Sequence, residues 1–419
     1  MVARTPSPYE GILTRLVALR QHFHEHPELS FQEVQTQTML RDFLLDEANV
    51  PADNIRACAG TGLIVDFDGP VDASTPRSAL RCIAFRGDMD ALPITERNPH
   101  LAYASTVAGA AHMCGHDGHM TSLAGLAWFL QRATLPPNTR IRLLFQPAEE
   151  GHFGAVQMIK DGCLDGVDEV YGYHNAPFRL GHVHVKPGPI MSHGSKFAIS
   201  VTGPGGHGSA PHATTDPVLA AGHIVVAMQS LVSRNIPAGE SAIVTIATIH
   251  GGEADNVIPS HVTMTGTYRD FNPAMADIIE TRMRGIVENT AAAYGTTGRI
   301  TFDDCYPVTI NAPDQAAIVA DVAACVAGKG CVSDDGLPLC ASEDFSYYLQ
   351  QRPGCFFMLG TTVDGEAQNR QLHSDTFDFN DGVLPLAIRL FLEVAQNRLG
   401  AALMTPEALS SIYEPKGDC

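Results

Sequence analysis

The chain has 419 residues, 45% of them hydrophobic and 17% charged, and 27 basic against 46 acidic side chains give a net charge of −19. The length favours two domains over one core, and the composition is that of a globular protein, neither disordered nor fibrous. So acidic a balance argues against nucleic acid and anionic membrane surfaces as partners.

Residues 1–8 lack the apolar core of a secretion signal, and no run of about 18 apolar residues suggests a membrane span. Ten cysteines are scattered without Cys-x-x-Cys pairs. Reduced thiols are therefore expected rather than a disulfide framework, and with them a cytoplasmic location. Cys419 ends Lys-Gly-Asp-Cys, which is not a prenylation box.

Ile12, Leu13, Leu16, Val17 and Leu19 form a helical stripe that breaks at His26-Pro27. Ser30-Phe31-Gln32-Glu33 then fits a capping box opening a second helix through Met39, Leu40, Phe43 and Leu44. His22, His24 and His26 look like a metal tract, but on a helix before a proline they read as surface or packing. Short apolar runs at 62–65, 81–85, 141–145 and 170–173 predict strands, and 120–130 and 155–159 predict helices between them. This alternation predicts an α/β layered domain.

The pattern changes near Met191. A strand at 196–201, a glycine-rich turn, a helix over 216–234, strands at 242–249 and 262–268, a helix over 273–294 and a strand at 299–302 follow. That βαββαβ order suits a ferredoxin-like α+β unit. After about residue 304 the α/β pattern resumes and ends in a helix over 384–399. The reading is a small domain, 192–303, inserted between two parts of a larger one, 1–191 and 304–419.

Residues 112–119 read His-Met-Cys-Gly-His-Asp-Gly-His and carry three imidazoles, one thiol and one carboxylate. Imidazole and thiolate are preferred ligands of zinc and its borderline-soft neighbours, so this run is half of a metal site. The other half is sought at strand ends, where α/β sheets display chemistry. The 141–145 strand runs into Gln-Pro-Ala-Glu149-Glu150, and two adjacent carboxylates cannot both point the same way. One could bind metal while the other faces substrate. The 170–173 strand ends at His174, and His373 precedes the 384–399 helix. With Cys114 and His116 these make five ligands, enough for two metals sharing a bridging group.

Each residue also has a plainer reading. A buried cysteine is usually a small hydrophobe, paired glutamates often open a solvated helix, and His174 and His373 could be core histidines. His112 and His119 read better as neighbours of the site than as ligands.

Several ordered motifs together resemble the M20 metallopeptidase family, specifically its amidohydrolase branch of N-acyl-amino-acid, hippurate and auxin-conjugate hydrolases. They are Arg86-Gly-Asp-Met-Asp-Ala-Leu-Pro, the 112–119 run, Gln146-Pro-Ala-Glu-Glu-Gly, Gly203-Pro-Gly-Gly-His-Gly-Ser, Gly251-Gly-Glu-Ala-Asp-Asn-Val-Ile-Pro, Ser342-Glu-Asp-Phe and His373-Ser-Asp. The resemblance implies a layered zinc-peptidase-like catalytic domain with an inserted dimerisation or lid domain. It implies that Cys114 bridges two divalent ions, Glu150 and His373 completing one and His116 and His174 the other. Zinc is the first expectation, with manganese, cobalt or nickel as alternatives. Glu149 would be the general base, and His207 would reach a partner subunit's site to stabilise the oxyanion. Asn256 and Arg269 match positions that help bind substrate. Most M20 branches carry a metal-binding histidine where this chain has Arg86, a change the amidohydrolase branch shares, and Asp88 and Asp90 then fall to orienting roles. The implied reaction is hydrolysis of N-acyl amino acids. A dipeptidase or carboxypeptidase on the same scaffold, or a metal-binding homologue without activity, are the alternatives.

Overall fold

The computed structural model describes residues 9–72, 76 and 79–415; residues 1–8 and Cys419, on which the expectations about a leader and a lipid anchor rest, lie outside them. The chain divides into two compact units. One comprises Met1–Ile190, Ile310–Leu337 and Tyr347–Cys419; the other comprises Met191–Thr309 and Pro338–Ser346. The short 338–346 segment thus clusters with the second unit, although it lies outside the 192–303 span read from the sequence.

The first unit is built on an eight-stranded sheet in the order Ile55–Cys58, Gly62–Asp68, Thr139–Gln146, Arg81–Asp88, Glu169–Arg179, Gly354–Thr362, Val183–His184, Val332–Ser333. From Thr139–Gln146 to Gly354–Thr362 the neighbours run parallel. Their burial is nearly continuous, as it must be for strands covered on both faces. Two arginines interrupt the apolar run of Thr139–Gln146 and are neutralised across the sheet in register. Arg140 Nε donates to Asp68 at 2.6 Å and Arg142 Nε to Asp66 at 2.7 Å. In the helix His116–Leu130 every residue except Trp128 is buried. Leu16, Phe23, Phe85, Phe129 and Phe391 belong to the same core as this helix. The chain does not end its helices at 384–399: Val383–Leu399 is followed by Pro406–Ile412, whose first turn is capped by the Thr405 hydroxyl.

One expectation near the N-terminus is corrected, and one open reading is narrowed. Ser30 and Glu33 form no capping box, because Phe31 adopts a left-handed backbone (φ 59°) and the helix begins only at Val34, with no side-chain cap. The Ser30 hydroxyl donates instead to Asp90 at 2.7 Å, and the buried Glu33 accepts from the Thr61 hydroxyl at 2.6 Å. His24, read as surface or packing, is a packing residue. It is fully buried, with Nδ1 2.9 Å from Asp117 and Nε2 3.2 Å from Glu96, while Arg20 beside it donates to Asp381 at 2.8 Å. His22 and His26 stay partly exposed around Glu25.

Burial alone would lower the pKa of His24, but its bonds to Asp117 and Glu96 outweigh that and raise it from 6.5 to about 9. A raised folded-state value stabilises the fold fully below the unfolded pKa and loses that contribution as pH rises through the folded one. The thermal midpoint of the wild type is therefore expected to fall between pH 6.5 and 9 more steeply than that of His24→Gln. Parallel slopes in a differential scanning series would refute this.

The second unit is a four-stranded antiparallel sheet in the order Ala242–His250, His261–Asp270, His193–Thr202, Thr297–Tyr306. The helices Pro217–Asn235 and Pro273–Ala293 supply Ile224, Met228, Ile279 and Met283 to a core shared with Phe197, Ile199 and Met264. Each helix starts with proline behind a side-chain cap, Asp216 and Asn272 accepting amides of the first turn. This is the ferredoxin-like α+β arrangement expected from the strand and helix order.

Eight cysteines among the described residues are free thiols. Cys331 is held in a disulfide, which corrects the expectation of reduced thiols at that position. No described helix is long and apolar enough to cross a membrane.

Candidate active site

The parallel neighbours Thr139–Gln146, Arg81–Asp88 and Glu169–Arg179 bring their carboxyl ends to one edge of the first unit's sheet. Open α/β sheets place their sites at such an edge. Beyond Gln146 and Pro147, Ala148 takes a left-handed backbone (φ 56°, ψ 46°), which costs a residue with a Cβ roughly 1–2 kcal/mol. The sharp turn separates the paired carboxylates: Glu149 is buried and Glu150 half-buried.

Gly115 precedes the helix His116–Leu130 with φ 95°, and a Cβ there would lie 2.2 Å from Asn175 Oδ1. Only glycine meets both conditions. The close approach sets Cys114 Sγ 3.5 Å from His174 Nε2. His174 lies within its strand rather than beyond its end, since Glu169–Arg179 continues past it. His373 sits on a loop at φ 62°, and its amide donates to the Met113 carbonyl at 2.7 Å. Its Nε2 is 3.2 Å from Glu150 Oε1.

Hydrogen bonds fix the tautomers of the two buried imidazoles. His116 Nδ1 lies 2.9 Å from the Asp90 carbonyl and His174 Nδ1 2.7 Å from the Asn175 carbonyl. A carbonyl can only accept, so both Nδ1 atoms carry a proton and Nε2 is the atom that each ring can offer to an ion. His116 Nε2 and Glu150 Oε1 are buried 3.9 Å apart without hydrogen-bond geometry to any group. Buried polar atoms of that kind are rare without a ligand.

The electrostatics point the same way. Burial, reinforced by Glu150, Glu149 and Asp88, pushes the Cys114 thiol well above its ordinary value. Burial would lower His116, but Asp88, Asp90 and Glu150 raise it to about 10. Burial and the neighbouring His119 drive His174 well below 6.5. The first two shifts are the mark of a negative pocket that asks for positive charge. A dication there would release the thiol proton and replace that of His116.

Around the 149–150 turn and the 112–119 run, three donor groups of the first unit are compact enough to hold an ion. Cys114, Glu150 and His373 form one, His116, Glu149 and Glu150 another, and Asp88, His116, His119 and His174 a third, each with ligand atoms within 4.8 Å of one another. The five residues expected as ligands are thus brought together. In the third group Asp88 and His119 are already engaged. Asp88 accepts from Arg86 Nη1 at 2.7 Å and lies 2.6 Å from His119 Nδ1, while His119 Nε2 is 2.7 Å from Asn175 Oδ1. Burial would raise Asp88, yet Arg86, His116 and His119 hold it well below the usual carboxylate range. Arg86 also donates to Gln146 Oε1 at 2.8 Å and so ties two strand ends together. His112 is buried with both ring nitrogens unpartnered, and burial lowers its pKa to about 4.

His207, Asn256 and Arg269 lie on the second unit. His207 is exposed in the short pair Gly206–His207 with Val257–Ile258, and Gly208 N donates to the Asn256 carbonyl at 2.7 Å, so His207 and Asn256 share one ladder. The Ser209 amide donates to His207 Nδ1 at 3.1 Å, which leaves the ring's proton on Nε2 at the outer end. Arg269 Nη1 donates to Ser342 Oγ at 2.6 Å. Ser30, Glu33, Thr61 and Asn175 were missed as parts of the first unit's site. Only the Ser-x-x-Glu spacing marked any of them, and it pointed to a helix cap.

The model of the peptidase family M20/M25/M40 matches residues 84–397. N-acetylcysteine deacetylase of Bacillus subtilis is 36% identical over 383 residues, 91% of this chain and 96% of that protein. Thermostable carboxypeptidase 1 of Saccharolobus solfataricus is 36% identical over 375 residues, 88% of this chain and 92% of that protein. Among solved structures, the Bacillus subtilis YXEP protein, described as a dinuclear metal binding peptidase, has a TM-score of 0.78 at 31% identity and covers 94% of this chain and 99% of its own. The chain belongs to the peptidase family M20/M25/M40, on its amidohydrolase side, and is a metal-dependent amidohydrolase.

Proposed function

We propose that this enzyme hydrolyses the amide bond of N-acyl amino acids, releasing an amino acid and a carboxylic acid. The observation that carries the reading is the pair Glu149 and Glu150, turned apart by Ala148 beside a thiol and three imidazoles, whose Nε2 atoms face Glu150 (His116 and His373) or the thiol (His174). In this reading Glu150 and His373 would hold one divalent ion and His116 and His174 a second, with Cys114 as a ligand to both. The dinuclear description of the YXEP protein supports two ions, and a thiol among imidazoles favours zinc over manganese, cobalt or nickel. Such ions, when bound, polarise the scissile carbonyl and acidify water.

The chain's own residues do the rest. Glu149, buried and second in the turn, accepts a proton from the attacking water as its oxygen bonds to the carbonyl carbon. It then delivers that proton to the amide nitrogen as the C–N bond breaks, so that acid and amine leave with one water consumed. His207, with its proton on Nε2, is suited to donate to the oxyanion from a second subunit. Asn256 and Arg269 are assigned to substrate. Dimerisation through the second unit is supported by its open edge strand Ala242–His250, where Ile243 and Ile249 are exposed. A cytoplasmic setting fits eight free thiols among the described residues.

The likeness to a carboxypeptidase keeps a peptide substrate as the second reading. A panel of N-acetyl and N-benzoyl amino acids beside dipeptides and N-blocked peptides, assayed with zinc and with manganese, tests both. The expected result is kcat/KM at least tenfold higher for the acyl amino acids. A reversed order would establish the peptidase, and no turnover on either set would sink both.

A further inference from the structure

Three consecutive amides at the catalytic turn are received by buried carboxylates that take no part in the proposed chemistry. Ala148 N donates to Glu33 Oε1 at 2.9 Å, and Glu149 N and Glu150 N donate to Asp90 Oδ1 and Oδ2, each at 3.0 Å. Both carboxylates are at most 1% exposed. Each is itself held by a hydroxyl, Thr61 Oγ1 on Glu33 at 2.6 Å and Ser30 Oγ on Asp90 at 2.7 Å. Asp90 reaches further, since its carbonyl receives the Nδ1 proton of His116.

We propose that Glu33 and Asp90 are positioning residues that clamp the 147–150 turn, fixing Glu149 and Glu150 relative to His116. The inference rests on the reading of Glu149 as general base. Burying two carboxylates near each other is unfavourable unless fixed donors compensate them. Here the donors are the backbone of the turn itself, so the clamp and the strained geometry of Ala148 hold each other in place. A proton-transfer group displaced by an ångström loses rate while substrate binding is little changed.

The hydrogen-bond inventory separates the two residues. Glu33 receives one amide and one hydroxyl, and a hydroxyl can reverse to accept, so a glutamine satisfies both partners. Asp90 receives two amides on different oxygens, and an asparagine must turn its NH2 toward one of them. In enzyme loaded with zinc or manganese, Glu33→Ala is expected to lower kcat by about 10- to 100-fold with KM within about threefold, as for loss of alignment. Glu33→Gln is expected to recover most of that loss, whereas Asp90→Asn is expected to lose as much as Glu33→Ala. Rates are expressed per metal-loaded, folded molecule, so a loss of fold or metal alone does not count as support. Should Glu33→Ala fail to fold, Thr61→Val removes only the outer hydroxyl and is expected to lower kcat by a few fold.

Values of kcat near wild type for Asp90→Asn and for Glu33→Ala or Thr61→Val overturn the clamp, as does equal tolerance of Glu33→Gln and Asp90→Asn. Glu149→Gln, run alongside, separates the two levels. If it is inactive while the clamp variants are normal, only the clamp fails; if it is active, the reading beneath it fails.

Discussion

Glu149→Gln is expected to bind metal at the wild-type stoichiometry and to lose about 10³-fold or more in kcat, with a smaller change in KM. Glutamine matches the volume of glutamate and keeps the hydrogen bond that the backbone amide of position 149 donates to Asp90, so the turn is not disturbed. What it lacks is a basic oxygen to take the proton of water and hand it to the leaving nitrogen. Glu150, one residue on, cannot substitute, because its Oε1 already faces His373 at 3.2 Å. Elemental analysis and steady-state kinetics on one preparation check both halves of the expectation. Turnover within tenfold of wild type, with metal bound, would remove Glu149 from the role of base.

Cys114→Ala is expected to be as damaging by a different route. Its sulfur lies 3.5 Å from His174 Nε2 and shares a compact donor group with Glu150 and His373. In the proposed ligand set it would be the atom common to both halves. Without it each half keeps two protein donors, below the three that catalytic zinc sites usually provide. Metal content is expected to fall below one equivalent per chain, and activity by about 10³-fold or more. Cys82→Ala is the matched control, because that thiol is buried on the strand Arg81–Asp88 and burial raises its pKa to about 12. It packs as a small hydrophobe, so its loss is expected to cost on the order of 1 kcal/mol of stability and leave metal and turnover intact. A Cys114→Ala enzyme that retains two ions would exclude the bridging role.

The sequence made some parts of this arrangement easier to see than others. The run 112–119 and the Glu149-Glu150 pair were visible because metal ligands and paired carboxylates are scarce residue types in dense spacing after apolar strands. The ferredoxin-like unit was visible because its strand and helix periods are regular. The support around the site was not. Asp90 has an orienting role from the resemblance alone, and the backbone amides that it and Glu33 receive leave no trace in residue identity. Ser30 and Glu33 carry the spacing of a helix cap, and only the left-handed backbone at Phe31 denies it. His24 on an amphipathic helix resembles its exposed neighbours His22 and His26, and its burial is decided by Asp117 and Glu96, far away in the chain. The segment 338–346 was assigned by chain order to one unit and clusters with the other. Position along the chain does not encode such a crossing.

The bond from the His373 amide to the Met113 carbonyl sets a timetable for the enzyme's birth. Cys114, His116 and Glu149 leave the ribosome well before His373 and the strand Gly354–Thr362, which lies in the interior of the sheet. Synthesis proceeds at about 5–20 residues per second, so tens of seconds separate the two halves, with the entire second unit translated in between. A nascent chain that has not yet reached Gly354 therefore holds an unfinished sheet and, of the proposed ligands, still lacks His373. A product that stops before Gly354 would lack an interior strand of the sheet together with His373, and is expected to retain less metal than a chain that contains both.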